Sequence, residues 1–138
     1  MRADEGLIST ALQSLAVRSA PLAALIERHG PYEPRPAETP DVFGALARSI
    51  IYQQLAGKAA ASIHRRFAAL FTEGVSARGL LTLEIETIRG AGLSLAKTKA
   101  VIDLASHIDD GRLAPATLVG LDDEALTCAL VQVRGIGP

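Results

Sequence analysis

The sequence has few of the residues that build disulfides and aromatic cores, and it lacks the long apolar run of a membrane span. It has one cysteine, Cys128, no tryptophan, two tyrosines and three phenylalanines in 138 residues. One cysteine forms no disulfide within the chain, and no uninterrupted apolar run approaches the roughly 20 residues that a bilayer requires. The N-terminus lacks the basic flank, apolar run and cleavage site of a signal peptide. We therefore expect a cytoplasmic protein with no membrane span.

An excess of positive over negative charge is lacking as well. The formal net charge at pH 7 is −1, whereas a surface that neutralises many phosphates normally leaves a chain clearly basic. Any contact with nucleic acid must therefore be local.

The sequence is rich in small aliphatic helix formers. Hydrophobic residues make up 49% of the chain and aromatic residues only 4%, so the core must consist of Ala, Leu, Ile and Val. Alanine and leucine favour helix, and no segment shows the sustained alternation of β-branched residues typical of a sheet. We predict an all-α protein of one domain.

A proline-rich segment marks the clearest boundary. Gly30 and four prolines prevent regular helix there: Pro31, Pro34, Pro36 and Pro40. Helices are predicted over residues 5–18 and after Pro21. We predict that residues 1–38 form leading helices and a connection, and that residues 39–138 form a helical core.

An amphipathic helix is predicted directly after the prolines. Thr39 as N-cap, Pro40 in the first turn and Asp41 beside it favour a helix start. Helical spacing predicts an inward stripe of Phe43, Leu46, Ala47, Ile50 and Gln54. The apolar run ends on Gln53 and Gln54.

Gly57 is placed to redirect the chain after these glutamines. Residues 58–71 are predicted as the central core helix, because three small alanines let it approach a neighbour closely. Phe67 and Phe71 are predicted to pack in the core.

Further helices are predicted near residues 77–81 and 83–88, after Ser94, after Ala114 and after Asp122. The helix after Ser94 has a predicted inward stripe of Val101, Ile102, Ala105 and Ile108. The last helix is predicted to run to about residue 131.

Residues 133–137, Val-Arg-Gly-Ile-Gly, place one apolar residue between two glycines. Glycines permit a tight reversal with positive φ, and Ile136 between them can anchor it in the core. A helix beginning directly afterwards would present free N–H groups that bind phosphate without lysine. Glycine-rich turns also end many ordinary helices, so this motif alone leaves both interpretations open.

Three segments resemble, in order, the helix-hairpin-helix DNA glycosylases of the alkylbase, or 3-methyladenine glycosylase II, type. They are residues 43–60 (FGALARSIIYQQLAGKAA), whose glutamine pair is the most telling element, residues 88–94 (IRGAGLS) and residues 131–138 (VQVRGIGP). The resemblance covers about residues 39–138. It implies an all-α, multi-helix glycosylase fold that is incomplete at its C-terminus, because the chain ends inside the hairpin.

The resemblance implies a base-excision repair enzyme, a monofunctional DNA-3-methyladenine glycosylase II. Such an enzyme flips an alkylated purine, of the 3-methyladenine or 7-methylguanine type, out of double-stranded DNA and hydrolyses its N-glycosidic bond. The implied partner is double-stranded DNA with alkylated bases, at the bacterial nucleoid. No organic or redox cofactor is implied.

The resemblance also implies site residues. The wedge that fills the gap left by the flipped base corresponds to Gln53 and Gln54, of which Gln54 is favoured. The candidate aromatic walls for a cationic base are Tyr32, Phe43 and Tyr52. The phosphate-binding hairpin corresponds to Arg134, Gly135, Ile136 and Gly137. Backbone charge is assigned to Lys58, Lys97 and Lys99. A Na⁺ or K⁺ ion would be held by the carbonyls of Val131, Val133 and Ile136.

The family's catalytic aspartate follows the hairpin, so we expect it C-terminal to Pro138 and expect residues 1–138 alone to be inactive. The earlier aspartates fit caps or surface charges instead: Asp103, Asp109, Asp110, Asp122 and Asp123.

Two alternatives stay open, a non-catalytic DNA-binding module and a helical interaction domain. Without a second hairpin helix, Val133 and Ile136 would each lose apolar cover worth about 1.5–3 kcal/mol. Two explanations stay open, a truncated gene product and self-association in which a second copy covers that end.

Overall fold

The computed structural model describes residues 5–32 and 41–137, and over those residues it contains helices and turns but no strand. The prediction of an all-α chain is confirmed. The nine helices of these residues are α1 (Glu5–Arg18), α2 (Ala20–His29), α3 (Val42–Tyr52), α4 (Gly57–Ala68), α5 (Ala77–Leu81), α6 (Ile85–Gly90), α7 (Leu95–Asp109), α8 (Pro115–Leu118) and α9 (Asp123–Leu130). No helix among them is long and apolar enough to cross a membrane. The chain divides into two compact units, one holding α1 and α2 and the other α3 to α9.

The first unit is a pair of helices with little buried surface. Helix α2 begins after Ser19 and carries Pro21 in its first turn, where a missing N–H costs nothing. It ends at Gly30, whose φ of +80° is left-handed. Several large apolar side chains of this unit are exposed: Leu7, Leu15, Val17, Leu22 and Leu25.

The second unit packs around α7. Six residues of α7 are buried, and only Ala60 and Phe67 are buried on α4. The prediction that residues 58–71 form the central helix is therefore wrong. Ala59 and Ala61 of the alanine run are exposed, so only one alanine of the three faces the core. Phe67 and Phe71 do pack together, edge to face with ring centroids 5.3 Å apart.

The predicted inward stripe of α7 is confirmed in part. Val101 and Ala105 are buried, whereas Ile102 and Ile108 are half-buried against the core. The stripe omitted Leu104, which is fully buried.

Short polar side chains cap three of the longer helices, α3, α7 and α9. Ser94 and Asp122 accept backbone N–H bonds as N-caps of α7 and α9, which confirms those starts. The start of α3 was placed wrongly. Asp41 is its N-cap, accepting the Gly44 N–H at 2.7 Å, because its short carboxylate reaches back to an amide that has no partner within the helix. Thr39 and Pro40 lie outside the described residues.

Helix α3 also ends earlier than its stripe predicted. Its last residue is Tyr52, with Gln53 as C-cap, so Gln54 lies beyond the helix and is exposed. Ile51, which the predicted stripe omitted, is fully buried. The end of α3 therefore projects two consecutive glutamines, which form the start of the turn to α4.

Candidate nucleic-acid interface

The hairpin, residues 133–137, reverses the chain at Gly135. Gly135 has a left-handed backbone with φ +81°, whereas the backbone of Gly137 is not left-handed. Val133 is buried at 1% exposure and Ile136 is half-buried against the core. Val133 is therefore the main anchor of the hairpin, although the sequence pointed to Ile136. The Ile136 N–H closes the turn on the Val133 carbonyl oxygen at 3.1 Å.

The backbone amides of the hairpin fall into two sets. The Arg134 N–H donates to Asp103 Oδ2 at 2.7 Å, and the Ile136 N–H is held within the turn. Gly135 and Gly137 are exposed, and their N–H groups have no partner within residues 5–32 and 41–137. Two amides of the predicted phosphate-binding hairpin are thus engaged, and two are free for an acceptor.

Asp103 belongs to a polar chain along one end of α7. His107, which is buried, places Nδ1 2.9 Å from the Asp103 backbone oxygen and Nε2 2.9 Å from Arg112 Nη1. A guanidinium only donates, so Nε2 must accept and Nδ1 must carry the proton. Arg112 also bonds Asp110 at 2.8 Å, and that bond lowers the pKa of Asp110. Sequence reasoning assigned Asp103 to caps or surface charge and missed its bond to the hairpin.

The turn between α3 and α4, residues 53–56, is here named the wedge turn. Gln54 has φ +56° and is the one non-glycine residue with positive φ among the described residues. Such a conformation costs about 1–2 kcal/mol for an L-residue. Gln54 is exposed, and the neighbouring Leu55 exposes 38% of its surface. Gly57 does not redirect the chain as predicted, since it is already the first residue of α4.

Gln53 joins the wedge turn to two other segments. Its side-chain Nε2 donates to the Gly135 carbonyl oxygen at 3.0 Å. Lys97 Nζ donates to the carbonyl oxygens of Ile51 and Gln53, both at 2.7 Å. Burial lowers the pKa of Lys97. The wedge turn, the first turns of α7 and the hairpin therefore meet at one junction.

The candidate base-pocket aromatics lie in different surroundings. Phe43 is 3% exposed in the core of the second unit, and Tyr32 is 65% exposed and belongs to the first unit. Tyr52 is half-buried at the end of α3. The Arg48 guanidinium carbon lies 4.4 Å from the centroid of the Tyr52 ring, and the His64 ring meets it edge-on with centroids 6.2 Å apart. Tyr52 is thus the candidate adjacent to the wedge turn.

The candidate cations differ in availability. Lys58, Lys99 and Arg134 are exposed and form no ion pair within the described part of the chain. Lys97, by contrast, is engaged with the end of α3. Of these four cations, Lys97 is therefore the one already engaged by backbone carbonyls within the described residues.

The proposed cation ligands are Val131, Val133 and Ile136. Among residues 5–32 and 41–137, no cluster of His, Cys, Asp and Glu side chains could hold a metal ion. Backbone carbonyl oxygens suit a hard monovalent cation. The Val133 carbonyl accepts the Ile136 N–H and retains a second lone pair. The three carbonyls are donors of the type that such an ion takes, and the cation site stays a prediction.

No family model matches the sequence, but individual proteins do. A protein of Bacillus subtilis (strain 168) named "Putative DNA-3-methyladenine glycosylase YfjP" is 30% identical, with 85% of this chain and 42% of that protein aligned. A DNA-3-methyladenine glycosidase of Bacillus halodurans has a solved structure that is 28% identical with a TM-score of 0.75, covering 91% of this chain and 58% of that one.

The 3-methyladenine DNA glycosylase of Schizosaccharomyces pombe, solved in complex with abasic DNA, is 26% identical with a TM-score of 0.81. That match covers 93% of this chain and 64% of the yeast chain. The chain thus spans 42% to 64% of the lengths of these three proteins. Its curated and structural neighbours are DNA-3-methyladenine glycosylases, which confirms the resemblance seen in the sequence, and the chain has part of their helical fold.

Proposed function

We propose that this chain is the DNA-binding part of a base-excision repair glycosylase that removes alkylated purines. The observation that carries the proposal concerns the N–H groups of the exposed residues Gly135 and Gly137. They have no partner among the described residues and belong to a hairpin fixed to the core. The names of its relatives support the glycosylase class, and the abasic DNA bound by the yeast enzyme supports a duplex partner. The corresponding location is the bacterial nucleoid.

In this proposal the hairpin binds a DNA phosphate through backbone amides. Neutral N–H groups bind phosphate by direct hydrogen bonds, so the chain needs no strongly basic surface. Lys58, Lys99 and Arg134 supply the additional charge. A monovalent cation on the hairpin carbonyls would add local positive charge beside the same phosphate.

The wedge turn inserts into the duplex where the damaged nucleotide leaves it. Gln54 supplies an amide that can hydrogen-bond the orphaned base, and Leu55 supplies an exposed apolar face of the kind that separates base steps. The left-handed backbone of Gln54 supports this role, because strained residues cluster at functional sites.

A purine alkylated at N3 or N7 carries positive charge, which an aromatic face attracts. Tyr52 is the best placed of the three candidates, because Phe43 is buried in the core. Tyr32 belongs to the first unit and stays a prediction of the sequence. In this structure the Arg48 guanidinium already occupies one face of Tyr52. A cationic base must therefore use the other face of the ring or displace Arg48.

We assign the catalytic carboxylate to an aspartate that follows Pro138. This assignment is supported by the partners of five aspartates before the hairpin. Asp41 and Asp122 cap helices, and Asp103 holds the hairpin. Asp109 and Asp110 pair with arginines. Such a carboxylate would stabilise the positive charge that develops on the sugar as the glycosidic bond breaks.

The direct test combines a binding assay and a base-release assay. We expect the protein to bind a duplex with an abasic site more tightly than the intact duplex. We expect 3-methyladenine release from methylated DNA only when residues C-terminal to Pro138 are present. Base release by residues 1–138 alone would disprove the placement of the aspartate. Absence of binding to either duplex would leave the helical interaction domain as the better interpretation.

A further inference from the structure

The two glutamines of the wedge turn have different surroundings, although they are adjacent in sequence. Gln54 is exposed, and its side chain has no hydrogen-bond partner among the described residues. The Gln53 side-chain amide donates at 3.0 Å to the carbonyl oxygen of Gly135, which lies 82 positions further along the sequence. A side chain engaged in this bond cannot also enter a DNA duplex. The pair therefore does not act as a double wedge.

Gln53 is also held through its backbone. As the C-cap of α3 it lies among the last carbonyls of the helix, which have no partner within the helix. Lys97 supplies that partner by donating to the carbonyl oxygens of Ile51 and Gln53. A cation at a helix C-terminus is also favoured by the helix dipole. One end of Gln53 is thus fixed to α7 and the other to the hairpin.

We propose that Gln53 is a positioning residue, which sets the distance and orientation between the wedge turn and the phosphate-binding hairpin. This inference rests on the proposed function of both segments. A glycosylase must grip the backbone and fill the gap in the duplex at the same time, so the spacing of the two segments must match the DNA. The bond ends on Gly135, the residue at which the hairpin reverses. That carbonyl belongs to the peptide unit between the Gly135 and Gly137 amides, so Gln53 constrains the backbone that orients both amides.

Gln53→Met tests this role, because it keeps the length of the side chain and removes the N–H donor. A hydrogen bond between neutral groups contributes about 0.5–1.5 kcal/mol, equivalent to roughly a 2- to 13-fold change in an equilibrium. We expect Gln53→Met to weaken binding to intact and abasic duplexes alike, by a factor within that range. Without DNA, we expect faster hydrogen exchange in residues 134–137.

Two further variants make the test specific. Gln54→Met is expected to weaken binding to the abasic duplex only and to leave hairpin exchange unchanged. Gln13→Met, on the exposed surface of α1, is the matched control and is expected to change neither quantity. All variants are compared at a temperature at which circular dichroism shows each to be fully folded, because a purely structural role would lower the melting temperature without changing the affinity of folded protein.

Three results would overturn the proposal. They are unchanged hairpin exchange in Gln53→Met, a loss of affinity confined to the abasic duplex, and wild-type behaviour of Gln53→Asn. Asparagine retains the amide but is one methylene too short to reach Gly135, so it also serves as the test if the methionine variant fails to fold. If the parent protein binds neither duplex, the function itself is wrong. If the parent binds both but Gln53→Met leaves hairpin exchange unchanged, only the role of Gln53 is wrong.

Discussion

Replacing Gly135 by alanine should destabilise the protein substantially, for two separable reasons. The residue has φ +81°, and an L-residue in left-handed backbone costs about 1–2 kcal/mol. The new Cβ would also lie 3.0 Å from the Cβ of Ala100. Ala100 is 3% exposed within α7, and a Cβ fixed to a packed helix cannot rotate away. Overpacking of this kind adds about 1 kcal/mol or more, so we expect a total loss of about 2–3 kcal/mol.

Gly137 provides the matched control. No atom lies within 4 Å of the position that its Cβ would occupy, and its φ is not left-handed. We expect Gly137→Ala to be neutral or to stabilise the protein by roughly 0.4–1 kcal/mol, because alanine restricts the unfolded chain. Urea unfolding of both variants, monitored by circular dichroism, measures the difference in the free energy of unfolding. Equal effects at the two glycines would refute the role given to Gly135.

A double-mutant cycle separates the steric cost from the backbone cost. Ala100→Gly removes the atom that the new Cβ would meet, although it costs roughly 1 kcal/mol by itself in a helix. In the double variant the steric term disappears and the backbone term remains. We expect a favourable coupling of at least about 0.5 kcal/mol, the size typical of residues in contact. Strict additivity would show that the hairpin does not rest on α7 at Ala100.

Three further changes test other parts of the site. Asp103→Ala should lower the free energy of unfolding by about 1 kcal/mol and speed hydrogen exchange of the Arg134 amide. This is less than usual for a hydrogen bond to a charged acceptor, because the Asp103 side chain is 35% exposed. Gln54→Gly should raise the free energy of unfolding by up to roughly 1 kcal/mol, because glycine tolerates positive φ, and should abolish preference for abasic DNA in a binding assay. Pairing with Arg112 lowers the pKa of Asp110 from its ordinary 3.8, so the pair stabilises the fold only while Asp110 is ionised. In a pH series of unfolding curves, Asp110→Asn should be less stable than the parent protein above pH 3.8 and equally stable well below it.

Local signals in the sequence predicted much of the helical framework. Ser94 and Asp122 identify helix starts because a short oxygen-bearing side chain satisfies a free amide wherever it precedes an apolar periodic stretch. The end of α3 was harder to place. Its apolar spacing continues formally to Gln54, and no local pattern shows that the chain leaves the helix after Tyr52. The residue with left-handed backbone is Gln54 and not Gly57, three residues later. The general preference of glycine for this conformation therefore predicted the turn at the wrong residue.

The interior of the fold depends on packing that no local pattern records. The alanine run before Phe67 suits close packing, yet α7 became the central helix because its own small residues accept neighbours from several sides. Gly135 lies against Ala100, a contact that requires both a small residue on α7 and a residue without Cβ in the hairpin. Each residue alone is compatible with many other environments.

Candidate residues for the site could be named from the sequence, but the bonds that connect them could not. Gln53 and Asp103 carry no local sign that they reach the hairpin, since a glutamine at a helix end and an aspartate on a helix are usually exposed to solvent. Both bonds join residues far apart in sequence, 82 positions for Gln53 to Gly135 and 31 for Asp103 to Arg134. They became visible only when the fold brought α3, α7 and the hairpin together.

These two bonds also bear on how a chain of net charge −1 could present the proposed phosphate site. The Asp103 carboxylate accepts the Arg134 N–H, so its negative charge is held by a hydrogen bond between α7 and the hairpin. Gln53 binds the Gly135 carbonyl and keeps the negative end of that peptide dipole engaged within the protein. The N–H donors of the exposed residues Gly135 and Gly137 keep no partner among the described residues. Local arrangement of backbone dipoles, rather than total charge, then determines whether the surface attracts an anion.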